Sequence, residues 1–321
     1  MAETPGRITL WGIEVFLATA QEGAISAAAR RLGASPSAVS QQLSNLEAAI
    51  GATLLDRSAR PATLTAAGEI FLRRAQSILN EATLARAELA SADLSALTRF
   101  RLGMIEDFDA EVTPRLLVEM AEELTRCQFL LETGASHHLF ELLDMRALDV
   151  VVAADTGFRT DWAEVHPLMQ EPFLATVPRG RVDPAGPLLP QIGDLPFIQY
   201  TERHHMGRQI AAHLAKHDLR LSPRFQLDSY HAIMAMIADG QGWSILTPLG
   251  YLAARRFHEK VALMPLPVAP LTRTITLTAR RDMLQDLPAA MVARLGPLLD
   301  ERVVAPAVAE YPWIGESLKL L

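Results

Sequence analysis

Apolar positions in the first third of the chain recur with a helical period and are cut into short pieces by glycine. Ile13, Phe16, Leu17 and Ala20 fall at i, i+3, i+4 and i+7, which predicts a helix over 8–20 with one buried stripe. Gly23 interrupts it, and Ser26 is placed to cap a short helix through Ala27 to Leu32, closed by Gly33. Ser35 is placed to cap the next helix, with Pro36 at the first helical position, where its missing N–H costs nothing. Val39, Leu43, Leu46 and Ile50 make the buried stripe of this helix and Gly51 ends it. Two short apolar segments then flank Arg57-Ser58-Ala59-Arg60, the pattern of a two-stranded wing with both arginines at its tip. Thr65 opens a long helix predicted to run to about residue 95. Phe71, Ile78, Leu79, Ala82, Ala85 and Leu89 lie on one broad side of it. About 30 helical residues span ~45 Å, and such a stripe needs a cover, either the same helix of a second chain or a surface of its own chain.

From Arg99 the pattern changes to alternating strands and helices. Strands are predicted at 100–105, 127–131 and 148–153, with helices at 113–125 and 136–145 between them. The valine-rich third strand has the composition of a strand buried on both faces. A strand at 173–177 is followed by a loop marked by Pro178, Gly180, Gly186 and Pro187. A second unit follows, with strands at 197–200, 224–227 and 243–246 and helices at 204–217 and 229–238. The segment 273–278 alternates like a strand returning to the first unit, and a last helix covers 286–299. Two α/β lobes joined by crossovers near 173–177 and 273–278 make a clamshell, with ligands expected outside the carboxyl ends of the strands, between the lobes. In the tail, 305–309 reads as flexible, while Tyr311-Pro312-Trp313-Ile314 is apolar enough to dock on the body or on another subunit.

Composition narrows the classes. Of 321 residues, 50% are hydrophobic and 21% charged, which excludes disorder over most of the chain. The single cysteine, Cys127, allows no internal disulfide and reads as a small core residue. No apolar run is long enough to span a bilayer, and the first residues lack the pattern of a secretory signal, so the expected place is the cytoplasm and no membrane partner is expected. The net charge of -7 argues against a bulk polyelectrolyte binder of nucleic acid. That charge is uneven: residues 1–90 hold 8 basic and 8 acidic side chains and no lysine, and the excess of acid lies beyond them.

Two helices joined by a short glycine-bearing turn are the helix-turn-helix arrangement, whose second helix enters the major groove. The second helix here offers Ser37, Ser40, Gln41, Gln42 and Ser44, short hydroxyls and amides of the kind that read base edges and phosphates. Short helices with serine faces also occur in many other proteins, and a neutral module neutralises few phosphates.

Further residues carry a family resemblance. Ala28-Ala29-Arg30-Arg31-Leu32, Ser35-Pro36-Ser37-Ala38-Val39-Ser40-Gln41-Gln42-Leu43, Leu46-Glu47, Leu54-Leu55-Asp56-Arg57 and Leu64-Thr65-Ala66-Ala67-Gly68-Glu69 resemble, in order and spacing, the N-terminal region of LysR-type transcriptional regulators. Ala238-Asp239-Gly240-Gln241-Gly242-Trp243-Ser244-Ile245-Leu246-Thr247-Pro248 resembles a turn and strand found late in the family's regulatory domain. The resemblance implies a multidomain α/β chain. Its parts are a winged helix-turn-helix over 1–66, a linker and dimerisation helix over 67–97, a two-lobed domain similar to a periplasmic binding protein over 98–303, and a tail over 304–321. Lobe I takes about 98–172 and 274–303, and lobe II about 178–272. Implied partners are double-stranded operator DNA, a second copy through the linker helix, a tetramer of such dimers, a small-molecule effector and RNA polymerase. By resemblance, Ser37, Ser40, Gln41, Arg57 and Arg60 face DNA, and Ser26, Arg30, Arg31, Ser35, Pro36, Gln42 and Ser44 complete the candidate DNA-binding set. Two departures stand out. Proline is one place early, at Pro36 and not at Ser37, and Gln41 stands where the family often has arginine, which puts guanine readout in question and opens Gln–adenine pairing as an alternative.

Strand ends name a candidate effector pocket. Glu106, Asp107 and Asp109 follow the first strand, and Thr133 and Ser136 follow the second. Thr201, Glu202, Arg203, Asp228, Ser229, Tyr230 and Thr247 come from the second lobe. The three acids are either a solvated loop before a helix or the selector of an amine-bearing effector, with Arg203 holding a carboxylate on the same ligand. His137-His138 and His204-His205 read as partly exposed pairs at lobe edges and not as metal ligands, and no metal or cofactor is expected. Nucleophile elbows, P-loops and metalloprotease motifs are missing, so an enzyme is not expected. The alternative is a cytoplasmic two-lobed binding protein or enzyme with a vestigial DNA module, a reading that leaves the N-terminal pattern without a purpose.

Overall fold

The computed structural model describes residues 7–59, 61–89, 97–157, 159–183, 186–193, 195–281 and 283–321. It divides into two compact units, Met1–Asp93 and Leu94–Leu321.

In the first unit α1 (Leu10–Glu22) begins two residues later than its stripe predicts, because Thr9 Oγ1 accepts from the Gly12 N–H at 3.0 Å and fixes the start. Its last turn ends at Gly23, whose φ of 66° turns the chain at once into α2 (Ile25–Leu32). That tight restart moves the N-cap to Ala24. Ser26 is therefore not the cap; it is an exposed residue inside the helix. The Ser35 side chain caps α3 (Pro36–Ile50), accepting from the Ala38 N–H at 3.2 Å. Val39 and Leu43 are fully buried and Leu46 nearly so, packed with Ile13, Phe16, Leu17 and Leu54 in one core. The wing is short: β1 (Leu55–Asp56) pairs antiparallel with β2 (Thr63–Leu64). Arg60 lies outside the described residues.

Thr65 Oγ1 caps α4 (Ala66–Leu89), accepting from the Gly68 N–H at 3.0 Å. The predicted end near residue 95 lies outside the described residues. The single stripe expected for this helix is in fact two. Phe71 packs on Phe16 with ring centroids 5.3 Å apart, and Leu72, Ala75 and Leu79 join the same core. Ile70 and Ile78 are exposed, at 61% and 39%. The helix thus covers its own module with one face and leaves a second apolar face open.

The second unit opens with β3 (Arg99–Met104), α5 (Thr113–Glu123), β4 (Gln128–Thr133), α6 (Ser136–Asp144) and β5 (Val150–Ala154). β3 pairs parallel with both β4 and β5, and β5 is buried along its whole length. Next come β6 (Ala163–Pro172) and β7 (Leu174–Pro178), which meet end to end at Phe173, then α7 (Leu188–Ile192), β8 (Phe197–Tyr200), α8 (His205–Lys216), β9 (Pro223–Leu227), α9 (Tyr230–Ala238), β10 (Ser244–Leu246), α10 (Pro248–Ala253) and β11 (Val261–Met264). The chain closes with β12 (Thr272–Arg280), α11 (Leu287–Leu299), α12 (Ala305–Glu310) and β13 (Lys319–Leu320).

The first lobe is a six-stranded sheet in the order β13-β6-β12-β5-β3-β4. The second carries β10-β7-β11 and the parallel pair β8-β9, joined where the Ile198 N–H donates to the Trp243 carbonyl at 2.8 Å. The chain changes lobe twice, at Phe173 and near Leu271, and the Phe173 N–H donates to the Leu271 carbonyl at 2.8 Å, so the two crossovers lie side by side. The stretch read as flexible is helical, α12, and the tail reaches both lobes. Tyr251 Oη on α10 donates to Glu310 Oε1 at 2.8 Å, and β13 pairs with β6. Ile314 is fully buried while Trp313 is 46% exposed, so only half of that apolar pair is docked.

Candidate functional site

A cleft of about 660 Å³, counting space open to solvent, lies between the two lobes of the second unit. The strand ends that build it are the ones topology selects: Ile105, Glu106 and Asp107 after β3, Gly134 and Ala135 between β4 and α6 with Ser136 opening α6, and Ala154 at the end of β5. The other wall is Tyr200, the start of α8, Tyr230 and the Leu246–Gly250 region.

The floor of the cleft is organised by Arg273 at the start of β12. Its side chain is 6% exposed and its partners come from every side. Nε donates to Glu171 Oε1 at 2.6 Å, and Nη2 donates to Asp107 Oδ2 at 2.9 Å and to Thr247 Oγ1 at 3.3 Å. Nη1 meets Met206 Sδ at 3.6 Å. Glu171 is opposite Arg273 in the β6–β12 ladder, which is why the pair forms, and its Oε2 accepts from the Leu249 N–H at 3.1 Å. One guanidinium therefore ties a first-lobe loop, the crossover strands and the second lobe together. Tyr230 Oη adds a bond across the cleft, donating to the Glu106 carbonyl at 3.4 Å.

The electrostatics follow from this placement. Burial opposes the charge on Arg273, but the adjacent Glu171 and Asp107 carboxylates outweigh it and raise its pKa. Among the described residues Glu106 has no such partner. Burial, then the charges of Asp107, Asp109 and Asp228, push its carboxyl above the usual range. Asp109 is raised by burial and by Asp107. His204 and His205 are both lowered, first by burial and then by His137 and Arg208 respectively, which favours neutral rings at pH 7.

Of the candidate effector residues, Glu106, Asp107, Ser136, Tyr230 and Thr247 line the cleft. Asp109, Thr133, Thr201, Glu202, Arg203, Asp228 and Ser229 do not line it. Arg203 is exposed, with its carbonyl accepting from Arg208 Nη1 at 2.8 Å, and Ser229 caps α9. Asp107 is already neutralised by Arg273. His204 and His205 are half-buried in the cleft wall, with Met206 and Gln209 beside them. The rings of His137 and His204 meet edge to face, 5.6 Å between centroids. Among the described residues no three His, Cys, Asp or Glu side chains group as metal ligands. Arg273 and Glu171 escaped the sequence reading. The available signal was an arginine near the start of a strand that alternates threonine with apolar residues at a crossover.

On the first unit, the outer face of α3 exposes Pro36, Ser37, Ala38, Gln41, Ser44, Asn45 and Ala48, with Ser40 and Gln42 half-buried at its sides. Gln41 Nε2 donates to Asn45 Oδ1 at 3.0 Å, and Ser35 and Ser37 hydroxyls lie 3.0 Å apart. Ser44 Oγ donates to the Ser40 carbonyl at 3.1 Å. Ser26 and Arg30 are exposed on α2, and Arg31 donates to Gln21 Oε1 at 2.7 Å and pairs with Glu22 at 3.2 Å. Arg57 is not free at a wing tip: it pairs with Glu47 and donates to Ser44 Oγ at 3.4 Å.

Residues 10–69 match the bacterial regulatory helix-turn-helix proteins of the lysR family, and residues 96–314 match the LysR substrate binding domain. The HTH-type transcriptional regulator DgdR of Burkholderia cepacia is 27% identical over 262 residues, 80% of this chain and 84% of that protein. A probable hydrogen peroxide-inducible genes activator of Mycobacterium xenopi is 30% identical over 180 residues, 56% of this chain and 95% of that protein. Among solved structures, a full-length OxyR variant from Pseudomonas aeruginosa superposes with a TM-score of 0.64 at 22% identity, covering 91% of this chain and 95% of that one. Full-length CbnR complexed with its target DNA gives 0.58 at 20% identity, covering 90% and 99%. The family is one of regulators and not of enzymes. The chain belongs to the LysR family: it is a DNA-binding transcriptional regulator with a C-terminal effector-binding domain.

Proposed function

We propose that this regulator binds operator DNA in the cytoplasm as a dimer paired through α4, and responds to a small molecule that places a cationic group beside Glu106 in the cleft. The observation that carries the effector class is the missing counter-charge at Glu106. Arg273 is committed to Glu171 and Asp107, and among the described residues no cation pairs with Glu106, which lies near Asp109 and Asp228 as well as the Arg273-paired Asp107. An ammonium or amidinium there removes that repulsion. The exposed Ile70 and Ile78 support pairing of α4 with a second copy. A ligand that prefers one lobe arrangement shifts the population of dimer geometries and so the DNA contacts.

The test is a ligand titration of the DNA complex with primary amines, their carboxylate counterparts and neutral isosteres. Amines alone are expected to act. A bound cation favours the ionised carboxyl, so binding draws the Glu106 pKa back down. Affinity should therefore fall as pH drops through that raised pKa and level off above it. Glu106→Gln should weaken the amine about tenfold. Equal action by carboxylates or isosteres, or an unchanged titration in Glu106→Gln, overturns the effector class.

Some relatives are named for peroxide induction, but the thiol chemistry here does not suit it. Cys127 is the chain's single cysteine. Burial, helped by Asp149, pushes its thiol up to about 11, far from the reactive thiolate range. Cys127→Ser is expected to leave any peroxide response of DNA binding unchanged; a peroxide response lost in that variant would restore the thiol reading.

A further inference from the structure

We infer that the reading helix α3 specifies A·T base pairs, with Gln41 the base-reading residue and Asn45 the residue that orients it. This rests on the chain's reading as an operator-binding regulator and deepens it. The exposed face of α3 carries no Lys or Arg. Its one charged side chain, Glu47, is turned away from that face, with Oε1 accepting from the Leu54 and Leu55 N–H groups at 2.9 and 3.3 Å. Glu47 and Ser44 in turn hold Arg57, the wing arginine among the described residues. The bidentate arginine contact to guanine O6 and N7 therefore has no donor on this face.

What the face does offer matches adenine and thymine. Because Gln41 Nε2 already donates one hydrogen to Asn45 Oδ1 at 3.0 Å, the orientation of the Gln41 amide is set. Oε1 is left to accept, and the second Nε2 hydrogen to donate. Adenine presents a donor at N6 and an acceptor at N7, the complement of that pair; guanine presents two acceptors and opposes Oε1 with O6. Pro36, Ala38 and Ala48 are exposed on the same helix and supply the small apolar surface that thymine methyl groups contact.

The experiment uses the full-length protein and a random-sequence duplex library. Selection is expected to fix adenine or thymine at the major-groove positions of each half-site. In the enriched duplex, replacing adenine by 7-deazaadenine removes the N7 acceptor and should weaken binding about tenfold, while 7-deazaguanine should change it less than about twofold. Gln41→Ala should erase the 7-deazaadenine effect. Asn45→Ala should reduce discrimination of A·T over G·C with little loss of affinity for unselected DNA, which a purely structural role would not do. Fixed G·C pairs that are sensitive to 7-deazaguanine overturn the inference and leave the regulator reading intact. Failure to enrich any sequence overturns both.

Discussion

Arg273→Met is expected to destabilise the effector-binding unit by about 3–5 kcal/mol, the range for breaking a buried ion pair by removing one partner. Glu171 is fully buried and Arg273 is its counter-charge, so the variant strands a carboxylate in a low-dielectric floor. Asp107 and Thr247 lose the same donor, and with it one of the links between the lobes. The sign with pH is specific. Burial already raises the Glu171 pKa, and Arg273 opposes that rise. Without Arg273 the folded value climbs further above the unfolded one. The stranded group then costs least near or below pH 4.5 and most as pH rises through the new folded value. Urea unfolding at pH 5 and pH 8 checks this: the deficit should be larger at pH 8. The double variant Arg273→Met with Glu171→Leu should recover much of the stability, because paired removal leaves no lone charge. A single variant as stable as the parent at pH 8 would show that the network does not hold the lobes.

The same network marks where the sequence stopped being informative. Alternation and caps located α3, β5 and β8 well, since each has a regular stripe or a strong end signal such as Ser35 and Gly51. β6 stayed invisible. It carries His166, Pro167 and Glu171, yet it pairs over its length with β12 through a bulge at Ile275/Thr276. Its polar residues are tolerated because one of them, Glu171, faces a buried arginine on the neighbouring strand. Such pairing is a tertiary fact: Arg273 and Glu171 are far apart in sequence and neither belongs to a local motif. Glu106 and Asp107 were legible as cleft-lining residues for a different reason, since strand ends of an α/β lobe face the cleft whatever their side chains, while Asp109 was not brought there. Their roles were not legible, because only the fold shows that Arg273 takes Asp107 and leaves Glu106 alone.

Gly68→Ala should separate the two units functionally. Helix propensity alone predicts a gain of nearly 1 kcal/mol from replacing a helical glycine by alanine. Packing predicts the opposite and by more. A Cβ at position 68 would lie 2.0 Å from the Leu54 carbonyl oxygen and 3.0 Å from its carbon. That carbonyl already accepts from the Thr65 N–H at 3.0 Å, at the point where the wing meets the first turn of α4, so it is backbone held in place and has no side-chain freedom to yield. Relief requires α4 to move off Leu54 and Phe16, opening the core that Phe71 and Ala75 complete. A cost of roughly 3 kcal/mol or more is expected for such overpacking. DNA affinity should fall at least about tenfold as the reading helix loses its support. The cleft is built wholly from residues of the second unit, so ligand binding there should persist. Calorimetry with a gel-shift assay checks both parts: one transition should move down while the other stays. A Gly68→Ala protein that binds DNA as the parent does would mean that the junction accommodates a methyl group, and the close packing of α4 on the wing would not be what fixes the module.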